Sequence, residues 1–230
     1  IYLAGHLPGA AFFDHQLFSD PIADYEYMLA PDKMLAAQIG EIGIGNDSEV
    51  IVYASNLLVS AMRAWWVLRY AGVQNVRVLN GGLPAWKEAG GAVEAGEHKY
   101  EPAVFEPAFK PEMIAGKDEV LAAVERGGAY IENALTQDWH DREHIPGSVC
   151  LPLTDLSIGW DTLRPQDEIE ALVAARPQGE RIITYCGGGI AAALNAMAHL
   201  LVGNENVAIY DGSLFEWKGE GLPVRSNTVA

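Results

Sequence analysis

The chain has 230 residues, half of them hydrophobic and a fifth charged, the balance of a globular protein with a substantial core. Acidic residues outnumber basic ones 31 to 15, and the resulting net charge of -16 speaks against nucleic acid or anionic lipid as a partner. No apolar run approaches the ~20 residues of a membrane span, Ile1–His6 lacks the pattern of a secretory leader, and two cysteines are too few for a disulfide framework. A reducing, cytoplasmic setting is the expectation.

In chain order, the first predicted strand is Val50–Tyr53, followed by a helix over Val59–Ala71 and a strand over Val76–Leu79. Residues 96–111, rich in Glu, Lys, Pro and Phe without a clear period, read as a linker. Beyond it come a helix over Met113–Arg126 and strands over Ala129–Glu132 and Ser148–Pro152. A helix over Gln166–Ala175, a strand over Arg181–Tyr185, a helix over Ile190–Leu201 and a strand over Val207–Tyr210 complete the series. Short β-branched runs alternating with helices predict parallel sheets covered by helices.

The pattern is written twice. Gly5-His6-Leu7-Pro8-Gly9-Ala10 is echoed by His144-Ile145-Pro146-Gly147-Ser148, and Val50–Tyr53 by Arg181–Tyr185. Asn80-Gly81-Gly82-Leu83-Pro84-Ala85-Trp86 is echoed by Asp211-Gly212-Ser213-Leu214-Phe215-Glu216-Trp217. Three matches in the same order, at nearly the same offset, mark an internal duplication. The expected domains are 1–95 and 112–230, joined by the 96–111 linker. The second copy has a helix and a strand ahead of its His-Ile-Pro-Gly turn. The first has only five residues before His6, so it is expected to lack its opening helix and strand in this chain.

Only the second copy carries a candidate nucleophile. In Tyr185-Cys186-Gly187-Gly188-Gly189-Ile190-Ala191-Ala192, an apolar strand runs into three glycines and then a helix. Glycines let successive backbone N–H groups turn toward one centre, and the helix presents its positive end to the same point. That environment favours a thiolate, the nucleophilic form of cysteine. The bland alternative is a small buried cysteine beside a turn. A nucleotide phosphate loop is disfavoured because no Gly-Lys-Ser/Thr follows. Ala192 stands where a cysteine phosphatase places its arginine.

These motifs together resemble the tandem-domain rhodanese family, the thiosulfate and 3-mercaptopyruvate sulfurtransferases, over essentially the whole chain. The first copy matches through Gly5–Asp14, Met28-Leu29-Ala30-Pro31, Gly43–Asp47 and Arg63-Ala64-Trp65-Trp66, and the second through His144–Gly147, the Cys186 loop and Asp211-Gly212-Ser213. The resemblance implies two rhodanese-like α/β domains, each a parallel sheet flanked by helices, the first catalytically silent with Ala54 near the place of the cysteine. It implies a thiosulfate sulfurtransferase activity in which Cys186 takes a sulfane sulfur as a persulfide and passes it to cyanide or a thiol. Gly187, Gly188, Gly189, Ile190, Ala191 and Ala192 would bind the substrate and stabilise its charge. No cofactor and no metal are expected. The expected partners are a small anionic sulfur donor, a thiol or cyanide acceptor and a thioredoxin-like protein.

The chain departs from the family at three places. Gly188 and Ala191 replace the Ser and Thr usual in mercaptopyruvate enzymes, which favours thiosulfate as donor. Asn133-Ala134-Leu135 replaces an Asp-Ala-Arg that supplies a substrate-binding arginine, leaving Arg142 as the nearest candidate cation. Two other readings stay open: a non-catalytic rhodanese-like binding module, and a persulfide carrier for a partner protein. His140 and His144 have metal-like spacing, but a turn-forming role accounts for His144 without a metal. Trp65 and Trp66 read as core or interdomain packing, and Cys150 as core.

Overall fold

The computed structural model describes residues 1–177 and 180–228. The first half runs through α1 (Asp32–Glu41), β1 (Glu49–Val52), α2 (Leu58–Ala71), β2 (Asn75–Val78) and α3 (Gly82–Glu88). The second half runs through β3 (Ile114–Ala115), α4 (Lys117–Arg126), β4 (Tyr130–Asn133), α5 (Gln137–Arg142), β5 (Val149–Cys150) and α6 (Leu153–Leu156). It continues through a small hairpin, β6 (Ser157–Ile158) and β7 (Thr162–Leu163). Then come α7 (Gln166–Ala174), β8 (Ile182–Tyr185), α8 (Ala192–Leu201), β9 (Val207–Tyr210) and α9 (Ser213–Gly219).

In the second half five parallel strands lie in the order β3-β9-β8-β4-β5. All four residues of β8 and of β9 are buried, as expected of a parallel sheet covered on both faces. The first half contributes only β1 and β2, also parallel, among the described residues. This fits the expected lack of an opening helix and strand there.

The duplication shows in individual hydrogen bonds. Tyr53 Oη accepts the Leu7 N–H at 3.1 Å, and Tyr185 Oη accepts the Ile145 N–H at 3.0 Å. Leu83 N–H donates to Ala54 O at 2.9 Å, and Leu214 N–H to Cys186 O at 3.1 Å. His6 pairs with Glu94 as His144 pairs with Arg225. Ala54 is therefore the counterpart of Cys186 in space as well as in sequence.

Helices α2 and α8 join the halves, packed on each other. Each is apolar nearly all round, and such a helix must be buried on every side. Trp66 and Leu68 of α2, and Leu194, Ala196 and Ala198 of α8, have no exposed surface. Trp65 adds a hydrogen bond from its indole Nε1 to Val76 O at 3.1 Å. Both tryptophans are core, as their surroundings in the sequence suggested.

Several boundaries move. The helix expected from Met113 starts at Lys117, because Ile114–Ala115 pair with β9 as an edge strand. The helix expected from Ile190 starts at Ala192, because the glycine loop runs two residues further. The strand expected over Ser148–Pro152 shrinks to Val149–Cys150. Residues 96–110 form no regular element. They run as a strap along the first half, with Ala103 N–H on Gly40 O and Ala108 N–H on Ala71 O, both at 2.9 Å.

Candidate active site

Cys186 sits at the C-terminal end of β8, the edge of a parallel sheet where such folds place their ligands. It is 3 % exposed. Its peptide is pinned on both sides: the Cys186 N–H donates to Ser213 Oγ at 3.1 Å, and Cys186 O accepts from Leu214. Ser213 donates in turn to Tyr210 O at 2.8 Å. Ser213 is held at φ 50°, a left-handed backbone that a serine adopts at a cost and that clusters at functional sites.

The loop beyond Cys186 is shaped by two close approaches. Gly189 has φ 81°, and a Cβ there would lie 2.6 Å from Asp211 O, so only glycine fits. Gly188 lies under the ring of Phe215, where a Cβ would come within 3.0 Å. The backbone N–H groups of Gly187, Gly188, Gly189, Ile190 and Ala191 find no acceptor among the described residues. Buried N–H groups without partners are rare in folded proteins. Five in succession after a thiol, ahead of the N-terminus of α8 with Ala192 in its first turn, form a cradle suited to a negatively charged sulfur or oxygen.

The first half closes one side of this cradle, and it does so with residues whose role the sequence reading did not single out. Arg63, on α2, is 2 % exposed. Its Nη2 bonds Asp211 Oδ1 at 2.6 Å and Tyr27 O at 3.0 Å, and its Nη1 reaches Gly189 O at 3.5 Å. Asp211 Oδ2 accepts the Leu29 N–H at 2.6 Å. The signal for Arg63 was present: one charge inside the apolar run Leu58–Leu68 needs a buried partner. The identity of that partner was not readable, because Asp211 lies 148 residues away.

Arg142 does not join the site. It is exposed on α5 with its guanidinium 5.5 Å from the centre of the Trp139 ring, and no hydrogen bond or ion pair links it to the Cys186 loop. Its neighbours are engaged elsewhere: Glu143 with Lys218, and Asp141 with Gln137 and Asn227. Leu135 follows β4 beside Cys186, so the position where a cation was looked for is apolar. Cys150 is half-buried and donates to Leu135 O at 3.4 Å; burial pushes its thiol up to about 12, so it stays protonated at neutral pH.

His140 and His144 stack at 4.1 Å between centroids, and their ring nitrogens are engaged within the turn, His144 Nδ1 with His140 O and His140 Nδ1 with Asn133. Among the described residues no group of three or more His, Cys, Asp or Glu is arranged to hold a metal. No helix of the described residues is long and apolar enough to cross a membrane.

A thiol at the end of a parallel strand, ringed by unpaired amide donors ahead of a helix, defines a cysteine-dependent group-transfer domain in a two-copy α/β protein. The rhodanese-like domain family model matches residues 2–89 and again 117–220. The chain is 35 % identical to the 3-mercaptopyruvate sulfurtransferase of Escherichia coli K12, over 97 % of this chain and 84 % of that protein. It is 33 % identical to the thiosulfate sulfurtransferase of Bos taurus, over 94 % of this chain and 78 % of that one. The crystal structure of the Escherichia coli 3-mercaptopyruvate sulfotransferase SseA superposes with a TM-score of 0.85 at 34 % identity, covering 92 % of this chain and 84 % of that one. The chain belongs to the rhodanese family, and its activity is sulfur transfer.

Proposed function

We propose that Cys186 is the sulfur-accepting residue and that the donor is a small anion, thiosulfate or 3-mercaptopyruvate. The Cys186 thiolate attacks the outer sulfur, the Cys–S–S bond forms, and the bond to sulfite or to the pyruvate carbon breaks. An acceptor thiolate or cyanide then attacks the outer persulfide sulfur and restores the Cys186 thiolate. The observation that carries this reading is the row of five N–H groups without acceptors around Cys186. Donors fixed before the reaction stabilise the persulfide charge without reorganising. The replacement of Ser by Gly188 favours thiosulfate, since no side-chain hydroxyl is available there.

Gly187 to Ala192 bind the transferring sulfur through the backbone in this scheme. Arg142 has no part in it, given where its side chain lies. Domains spanning 1–95 and 112–230 with a 96–111 strap suit the reading, the first serving as scaffold. Both cysteines are free, which supports a reducing, cytoplasmic setting and a thiol or thioredoxin-like acceptor. At 3 % exposure Cys186 suits a small donor better than direct docking of a protein persulfide.

The test is intact mass. Incubation with thiosulfate should add one sulfur atom, cyanide should remove it, and Cys186→Ser should never gain it. A Cys186→Ser protein that still transfers sulfur would refute the assignment.

A further inference from the structure

Each half contains a cradle, and they differ in one respect. In the first half the loop from Ala54 leads into α2 as the Cys186 loop leads into α8. Leu58 stands four residues after Ala54, as Ile190 stands four after Cys186. The Leu58 N–H is occupied: the carbonyl of Trp160, at the tip of the β6–β7 hairpin, accepts it at 2.7 Å. Asn80 anchors that hairpin, accepting the Leu163 N–H at 2.6 Å and donating to Leu163 O at 3.1 Å. A protein carbonyl thus fills the first cradle.

The same parts surround Cys186 with the opposite outcome. A turn of the first half, closed by the Ser19–Leu29 bridge, reaches across to the second half. Asp211, the counterpart of Asn80, accepts the Leu29 N–H as Asn80 accepts that of Leu163. Glu26 precedes Leu29 by three residues, as Trp160 precedes Leu163. The Glu26 carbonyl lies against the loop, 3.6 Å from where a Cβ on Gly188 would be, yet it accepts none of the loop N–H groups.

Arg63 accounts for the difference. It holds Tyr27 O and Asp211 on one side and reaches Gly189 O on the other. In a trans peptide the C=O and the N–H point in opposite directions. Drawing Gly189 O toward Arg63 therefore turns the Ile190 N–H away from Arg63. Asn195 stands five residues after Ile190, as Arg63 stands five after Leu58. It turns into its own sheet instead, donating to Glu132 Oε1 and Leu151 O, both at 2.9 Å.

We propose that Arg63 is a positioning residue supplied by the half without the cysteine. By fixing the Tyr27 turn and the Gly189 carbonyl, it keeps the Glu26 carbonyl off the Ile190 N–H and the Cys186 cradle open. This rests on Cys186 being the sulfur-accepting residue. The scaffold half then contributes to the reaction through one buried side chain, while its own cradle is closed by Trp160.

The test compares the full-length parent with Arg63→Asn, which places at 63 the residue found at the equivalent position of the other half, and with Arg63→Lys. Two quantities are measured: the rate of persulfide formation from thiosulfate, and hydrogen exchange at the Ile190 amide. Arg63→Asn should load sulfur about a hundredfold more slowly, the scale of a small misplacement at a reacting centre. Its Ile190 amide should become protected, and Arg63→Lys should fall between. Loading within about threefold of the parent would overturn the proposal, as would slow loading without new Ile190 protection. Since Arg63→Asn leaves Asp211 buried without its cation and can unfold the chain, the double variant Arg63→Asn/Asp211→Asn removes that charge and is judged by the same two readouts. A parent that gains sulfur from neither thiosulfate nor 3-mercaptopyruvate would refute the reading of Cys186. The Ile190 exchange needs no turnover and would still decide the role of Arg63.

Discussion

Gly189 shows how tightly a single position is specified. Its left-handed φ and its approach to Asp211 O leave no room for a side chain. Gly189→Ala must accept backbone strain of about 1–3 kcal/mol and also displace Asp211, and with it the Arg63 pair. The expected outcome is a lower urea midpoint together with loss of persulfide formation. A Gly189→Ala protein that loads sulfur at the parental rate would show that the loop geometry is not what the chemistry depends on. Cysteine placement follows the same logic. Cys186 stands beside free N–H groups, whereas burial and a lone carbonyl partner keep Cys150 a thiol. The sequence reading separated these two cysteines correctly as a nucleophile and a bystander. It placed Cys150 deeper in the core than it is, because a two-residue edge strand covers it only in part.

At the scale of elements, the His-Ile-Pro-Gly turns are fastened to the sheet by one tyrosine in each copy. Tyr185 Oη accepts the Ile145 N–H and bonds Ser148 Oγ at 2.8 Å, whereas Tyr53 Oη accepts the single Leu7 N–H. Burial pushes the Tyr185 phenol up to about 12, so it remains a neutral hydroxyl through the physiological range. Tyr185→Phe leaves the buried Ile145 N–H without an acceptor and should cost about 1–3 kcal/mol. Tyr53→Phe, in a less buried turn, should cost less. Chemical denaturation of the two variants checks the ranking, and equal losses would mean that water replaces the phenol equally well in both turns. The repeat was legible in the sequence because such turns need Gly and Pro at set positions. The tyrosine fastenings were not, because they join residues 40 and 46 apart.

For the molecule as a whole, the halves meet along α2 and α8, and a buried Arg63–Asp211 pair crosses between them. His15 lies within the electrostatic reach of Arg63. Burial first, and the Arg63 charge second, push its imidazole down to about 4 from an ordinary 6.5. Above pH 6.5 the imidazole is neutral in both the folded and the unfolded chain and has no effect on stability. Between 6.5 and about 4 the unfolded chain takes up a proton that the folded chain refuses, so stability falls with pH, and below about 4 both are protonated and the slope ends. The loss amounts to about 3 kcal/mol at most. Denaturation of His15→Leu across this window should show a shallower decline than the parent. Parallel curves would mean that His15 is as accessible to protons in the folded protein as in the unfolded one.

The sequence by itself determined the duplication, the α/β class, the single nucleophilic cysteine and the glycine loop, since each is encoded in residues close together in the chain. Hydrophobic period, turn chemistry and glycine placement are local properties. It did not yield the hairpin β6–β7 or the edge strand β3, whose two-residue strands are too short to leave a period. It did not show that Arg142 faces away from the loop, or that Arg63 and Asp211 meet beside Gly189. Direction and distance between residues more than a hundred positions apart are set by how α2 packs on α8. Only the folded chain brings the first half to the cysteine of the second.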